Sequence, residues 1–251
     1  MLKGGTVLVT GASQGVGRGI ALAAGAAGAA VVVTARNLEA ANGVAREIEE
    51  RGGRAIAVRA DVINRSEIDA AINAALDRYG RLDALVHNAT SRFSGRPCSL
   101  EDVTEEDWDD QVRVGLRGTL VCGQAALSAL RETKGTLIVL VSNAGIEGSL
   151  PLPVYSAVKG AQRTLVKSLA REWGVDGIRV NTLAPVAMTP AMDEFFEAWP
   201  QMRDYIEVRA ALRRIGDSEA DIGHVINFLI GDDSAFISGQ TLVVNGGALM
   251  L

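Results

Sequence analysis

The feature that most constrains this chain is an alternation, kept up along its whole length, of short unbroken apolar runs with longer amphipathic stretches. The runs are "TVLVT" (6–10), "AVVVTA" (30–35), "RAIAVRA" (54–60), "LDALVHN" (82–88), "TLIVLVS" (136–142), "IRVNTLA" (178–184) and "QTLVVN" (240–245). Most are Val-, Ile- and Leu-rich without polar alternation, which is how strands buried on both faces of a parallel sheet read. The segments between them carry helical periodicity. "LEAANGVAREIEERGG" (38–53) closes on glycines, as a helix C-terminus does, and "RSEIDAAINAALDRYG" (65–80) opens with Ser66 as its expected N-cap. Such β-α-β alternation predicts an α/β fold with one doubly wound parallel sheet and right-handed crossovers. No linker, repeat or low-complexity segment interrupts it, so a single domain over 1–251 is expected.

Composition excludes several partners. Net charge is −5, with no long run of one sign, which argues against nucleic acid or an anionic membrane surface. Cys98 and Cys122 lie far apart without a neighbouring ligand pair, so free thiols in a reducing compartment are expected and no metal site. No basic-then-apolar leader opens the chain, and its apolar uncharged run 19–35 falls short of the ~20 residues of a bilayer span. A cytoplasmic protein is expected.

Two stretches break the rhythm: the loop "NATSRFSGRPCSLEDV" (88–103) and the long excursion 186–216 between the last two strands. Both follow the C-terminal end of a strand, where open α/β sheets bind ligands. The excursion gathers Phe195, Phe196, Trp199 and Tyr205 from a chain only 4% aromatic. It reads either as a small helical subdomain with its own core or as a mobile lid over an apolar substrate.

"VLVTGASQGVGRG" (7–19) is a strand, a glycine turn and a helix start. Gly11, Gly15 and Gly17 allow a tight turn and close approach of backbone to ligand. The free N–H groups of the helix start, aided by its dipole, suit a pyrophosphate. The next strand ends in Ala35 and Arg36, where an NAD site would carry an acidic residue for the ribose hydroxyls. A guanidinium binds a 2′-phosphate with paired hydrogen bonds, which favours NADP(H), with NAD(H) as the alternative. Asp61 after the third strand is a candidate acceptor for the adenine amino group. Asn88 after the fourth is a candidate for backbone contacts to the adenosine half.

Tyr155 and Lys159 open the helical stretch 154–174 one turn apart, about 6 Å along the axis, on a shared face. A free tyrosine titrates near 10, too high for efficient proton transfer at neutral pH. Lowering it by ~3 units needs ~4 kcal/mol, the order that one ammonium at ~4 Å supplies in a dielectric of ~20. The pair is therefore a device for proton transfer to a carbonyl oxygen, and Ser142, at the end of the fifth apolar run, can hydrogen-bond the same oxygen.

The chain resembles the short-chain dehydrogenase/reductase family. The resemblance rests on "TGASQGVG" (10–17), "DV" (61–62), "NA" (88–89), Ser142 with "YSAVK" (155–159), "RVN" (179–181), Pro185 with Thr189, and "ISGQTLVVNGG" (237–247), in family order over essentially the whole chain. It implies a Rossmann-type seven-stranded sheet and hydride transfer at the nicotinamide. Tyr155 would be the acid/base, Ser142 the orienting donor, and Lys159 the group that holds the nicotinamide ribose and lowers the Tyr155 pKa. Cofactor contacts are implied for Gly11, Ser13, Gln14, Gly15, Val16, Gly17, Arg36, Asn37, Asp61, Val62, Asn88, Ala89, Thr90, Tyr155, Lys159, Pro185, Val186 and Thr189. A homotetramer or dimer is implied as well.

The family pattern is broken at three places. Gly115 falls where the family carries an Asn that supports a water leading to the active-site Lys. "HNAT" (87–90) replaces N-N-A-G, with His87 expected as a satisfied strand-end histidine. Val186 follows Pro185 where the family has Gly. The chain is thus expected to be an NADP(H)-dependent oxidoreductase acting on an apolar carbonyl or secondary alcohol, of which a 3-oxoacyl thioester reductase is the narrower form. Gly115, Thr90 and Val186 keep one rival open: a nucleotide-binding redox sensor or partner scaffold with little catalysis.

Overall fold

The computed structural model describes residues 2–250. Seven strands form one parallel sheet in the order β3-β2-β1-β4-β5-β6-β7. They are β1 (Thr6–Thr10), β2 (Ala30–Ala35), β3 (Arg54–Arg59), β4 (Ala84–His87), β5 (Thr136–Leu140), β6 (Arg179–Pro185) and β7 (Thr241–Val244). β1, β2, β4 and β5 are buried at every residue, as their unbroken apolar runs require. Register pairs Val7 with Val31 on one side of β1 and with Ala84 on the other, so the chain reverses its direction of winding at the β1/β4 junction.

The helices are α1 (Gly15–Ala26), α2 (Leu38–Glu50), α3 (Arg65–Tyr79), α4 (Glu105–Gln111), α5 (Gly118–Thr133), α6 (Ala144–Glu147), α7 (Pro153–Trp173), α8 (Pro190–Ala198), α9 (Gln201–Arg209) and α10 (His224–Ile230). Two apolar cores result. One packs Ile20, Ile48 and Ile226 against Val31 and Val33. The other packs Ile68, Leu130 and Trp173 against Leu85 and Leu137. Each fully buried aliphatic side chain contributes roughly 1.5–3 kcal/mol over its exposed state.

Several boundaries differ from the sequence expectation. The cap of α3 is Asn64, whose Oδ1 accepts from the Ser66 amide at 3.2 Å, so Ser66 lies inside the first turn. β5 ends at Leu140, which leaves Ser142 beyond the strand, not at its tip. The excursion 186–216 forms α8 and α9. Of its four aromatics only Phe196 is buried, so it has no independent core of the kind one reading required.

Candidate active site

The site sits at the C-terminal edge of the sheet, over the β1/β4 junction, in a cavity of about 900 Å³. Its phosphate end is built by the turn between β1 and α1. Gly11 has φ +63°, a left-handed conformation that favours glycine. The Asn88 side chain donates to the carbonyls of Thr10 (3.1 Å) and Gly11 (3.0 Å), which ties the turn to the end of β4. Asn88 thus works through its amide group on the turn, not only through the backbone contacts expected for it.

Gly17 is held close beneath the turn. It does not line the cavity, and a Cβ there would lie 2.4 Å from both Asn88 Nδ2 and the Gly11 carbonyl oxygen. Its part is close packing beneath the turn. The other residues expected to contact a cofactor all line the cavity. Within that wall Asn37 caps α2 through Ala40 (3.1 Å) and Thr189 caps α8 through Met192 (3.2 Å). Thr90 is bonded to Ser94 at 2.7 Å. Arg36 is exposed just past β2 and makes no ion pair among the described residues. The cradle fits a dinucleotide: a tight turn with no side chain in the way, a free helix start, and a guanidinium beyond the second strand.

The reacting end is set by α7. Pro153 occupies its first turn, where a missing N–H costs nothing, and Tyr155 and Lys159 follow one turn apart. Lys159 is buried; its Nζ donates to the Leu140 carbonyl at 2.7 Å and lies 5.7 Å from the Tyr155 ring centre. Burial lowers its pKa from 10.5 to about 8. Burial also pushes the Tyr155 phenol above its ordinary value, with the Ser142 hydroxyl pulling the other way. The expected lowering of Tyr155 by Lys159 is therefore not what the protein alone produces: desolvation wins, and the phenol is held as an acid. Ser142 accepts from the Ala144 amide at 3.2 Å, which leaves its own proton for an oxygen beside Tyr155.

Sequence reading missed other walls. Asn143, next to Ser142, lines the cavity, and its Oδ1 is buried without a protein partner. Met192 and Phe195 of α8 and Tyr205 and Arg209 of α9 close the outer side, whereas Trp199 does not reach it. The placement of Phe195 and Tyr205 agrees with a cover over the cavity. Its signal in the sequence was the aromatic cluster itself.

Comparison with known proteins agrees with this geometry. A family model described as enoyl-(acyl carrier protein) reductase matches residues 11–248. A 3-oxoacyl-[acyl-carrier-protein] reductase of Synechocystis sp. is 37% identical, with 97% of this chain and 96% of that protein covered. This chain belongs to the short-chain dehydrogenase/reductase family. Another relative, the (2S)-[(R)-hydroxy(phenyl)methyl]succinyl-CoA dehydrogenase subunit BbsD of Thauera aromatica, is 35% identical over 96% of this chain and 94% of its own length. Among solved members, a 7α-hydroxysteroid dehydrogenase complexed with NADH and 7-oxo glycochenodeoxycholic acid superposes with a TM-score of 0.91 at 31% identity, covering 98% of this chain and 94% of that one. As a member of the family, the chain is an oxidoreductase acting on carbonyl and alcohol groups. Among the described residues no helix is long and apolar enough to cross a membrane.

Proposed function

We propose that this protein is an NADP(H)-dependent reductase of an apolar ketone or aldehyde, working reversibly as an alcohol dehydrogenase, with 1–251 acting as one domain. The observation that carries the reading is the convergence of Ser142, Tyr155 and Lys159 on one wall of a cavity whose far end is a glycine-turn cradle. A bound nicotinamide would supply or take up the hydride. Gly11, Ser13, Gln14, Gly15 and Val16 would hold the pyrophosphate, Asp61 and Val62 the adenine, and Asn88, Ala89 and Thr90 the adenosine side. Pro185, Val186 and Thr189 would flank the nicotinamide. Arg36, free of an acidic partner, would bind the 2′-phosphate and favour NADPH over NADH.

Tyr155, held protonated by its burial, donates its proton to the substrate oxygen. Ser142 steadies that oxygen with a hydrogen bond. Lys159, a buried cation one turn behind Tyr155, offsets negative charge left on the phenol and holds the ribose. Apolar side chains of α8 and α9 exclude water.

A second cavity of about 930 Å³ adjoins the first and shares Leu152 and Tyr155 with it. It supports the narrower reading of a substrate with a long non-reacting arm, as in a 3-oxoacyl thioester. Exposed Phe228 and Phe236 support a homo-oligomer, tetramer or dimer, to be measured by light scattering. The reading is tested by following NADPH and NADH consumption over ketones, aldehydes, 3-oxoacyl thioesters and enoyl thioesters. Reduction of at least one carbonyl class, faster with NADPH, is expected. Bound cofactor with no turnover on any carbonyl would favour the sensor reading, and turnover confined to enoyl thioesters would replace the carbonyl assignment.

A further inference from the structure

Among the described residues, two arginines stand on the cavity wall. Arg36 is at the nucleotide end, beyond β2. Arg209 is the last residue of α9, on the substrate side, and the reaction scheme makes no use of its charge.

The backbone that follows Arg209 fixes its place. Ala210 is buried, and the Leu212 amide donates to the Gly246 carbonyl at 2.9 Å, which pins the end of α9 to the chain beyond β7. A cation at a helix C-terminus ordinarily serves the last carbonyls. Here Arg213 does so, its Nη1 donating to the Val208 carbonyl at 2.6 Å. Arg209 instead lies over Tyr205, its guanidinium carbon 5.8 Å from the ring centre, and faces Glu147 of α6 across the cavity mouth.

The donors of Arg209 are poorly matched. Its contact with Glu147 Oε2 is 3.9 Å, too long for a hydrogen bond, and its contact with the Tyr205 hydroxyl is 3.4 Å. Elsewhere arginine meets carboxylate closely, as Arg81 meets Asp83 at 2.6 Å and Arg131 meets Asp176 at 2.8 Å. A guanidinium carries five N–H donors in a planar fork that fits a carboxylate at two points. Arg209 thus holds an open fork on the cavity wall. The charges of this half favour an anion, since Lys159 and Arg209 face the single carboxylate of Glu147. The rest of its lining is largely apolar, with Leu152, Met192, Phe195 and Ile206. Glu147 closes α6 five residues after Ser142, on the order of 7 Å along a helical path. The open fork is therefore several carbon–carbon bonds away from the place of the reacting carbonyl.

We propose that Arg209 is a specificity residue for a bifunctional substrate, an apolar oxo compound that bears a carboxylate several carbons from its carbonyl. The substrate carboxylate takes the guanidinium fork in paired hydrogen bonds and displaces Glu147. Glu147, about half exposed, turns to water at little cost, because so long a surface contact contributes little. The carbonyl then lies at Tyr155 and Ser142, with the apolar middle of the molecule under α8 and α9. A neutral ketone leaves the fork to Glu147 and gains nothing from it.

The proposal rests on the reductase reading for its reacting carbonyl, and binding without turnover tests the carboxylate site separately. The probes are methyl-ketone acids with three to six methylenes between carbonyl and carboxylate, each beside its methyl ester. Their affinities are measured by calorimetry in the presence of NADP⁺, from which no hydride can pass to a ketone. For at least one length the acid should bind about 10- to 100-fold tighter than its ester, the effect of paired hydrogen bonds to a charged group. Arg209→Leu should bring acid and ester within about threefold of each other. Arg209→Lys keeps the charge without the fork and should retain part of the preference. Glu147→Gln removes the competing carboxylate and should widen it. Equal binding of acid and ester by the wild type, no binding of any acid, or a preference that survives Arg209→Leu would overturn the proposal. In turnover, the acid-to-ester ratio of kcat/KM should collapse in Arg209→Leu by the same factor as the binding ratio. Ketones reduced without preference for the acid would remove Arg209 from substrate choice and leave the reductase reading standing. Acids that bind through Arg209 and are never reduced would uphold the site and fail that reading.

Discussion

Tyr155 and Lys159 stand one turn apart on α7, with Nζ 5.7 Å from the phenol ring centre, and burial moves the two groups in opposite directions. The phenol is pushed up and the ammonium down, to about 8. At neutral pH the protein therefore presents a protonated acid beside a cation, the arrangement that reduction requires. The kcat/KM for carbonyl reduction should hold between pH 6 and 7 and fall as pH rises through about 8, where Lys159 loses its charge. Alcohol oxidation, which needs the phenolate, should rise with pH. A reduction rate that climbs through pH 8 would contradict the assignment.

The same shift makes a stability prediction. Between about 8 and 10.5 the unfolded chain holds a proton on Lys159 that the folded chain has released, so this lysine's contribution to stability improves as pH rises through that window. Lys159→Met removes the burial penalty at similar volume. Urea titration should find this variant more stable than wild type at pH 7, by roughly 1–3 kcal/mol, with the gap closing toward pH 10.5.

Arg36 carries the cofactor preference. A paired hydrogen bond to a charged group is worth ~1.5–3 kcal/mol. Arg36→Ala should weaken NADPH binding by roughly 10- to 100-fold and NADH binding by less than ~3-fold, as read by fluorescence titration. Equal losses for the two cofactors would remove Arg36 from the 2′-phosphate site.

Gly115 is held glycine by Val158. A Cβ would approach Val158 Cγ1 to 2.5 Å, so Gly115→Ala should destabilise the protein by ~1–3 kcal/mol through overpacking. Val158→Ala makes the space. The double variant should therefore recover part of the loss made by Gly115→Ala, a coupling measurable in denaturation midpoints.

Across the cavity mouth, Glu147 of α6 faces Arg209 of α9 at 3.9 Å, with both side chains about half exposed. Such a pair is worth ~0–1 kcal/mol, so it restrains the cover only weakly. Glu147→Gln should leave the thermal midpoint essentially unchanged. For a bulky substrate it should alter KM more than kcat.

How far these features were legible depended on whether their cause is local. The strands were, because a run such as Val31–Val33 has no polar face to expose to solvent. The Tyr155–Lys159 pair was also legible, because helix geometry turns spacing into proximity. Ser66 and Asn64 are both good caps two residues apart, and only backbone geometry chooses between them. The packing of Gly17 against the Asn88 amide was not legible, because a glycine motif does not say which glycine meets a neighbouring side chain. The direction of the Tyr155 shift depends on desolvation, which no spacing reveals. Gln162 escaped notice because its partner is the backbone carbonyl of Gly115, delivered by a helical turn far away in sequence.

The most direct test of the central claim compares wild type with Tyr155→Phe on any carbonyl the enzyme reduces. The variant loses only the proton donor. Its kcat should fall by about 10²–10⁴-fold, the usual contribution of a positioned acid, while its Kd for NADPH stays within about twofold. Retained turnover in Tyr155→Phe would contradict the account, because the proton would then come from a group other than Tyr155.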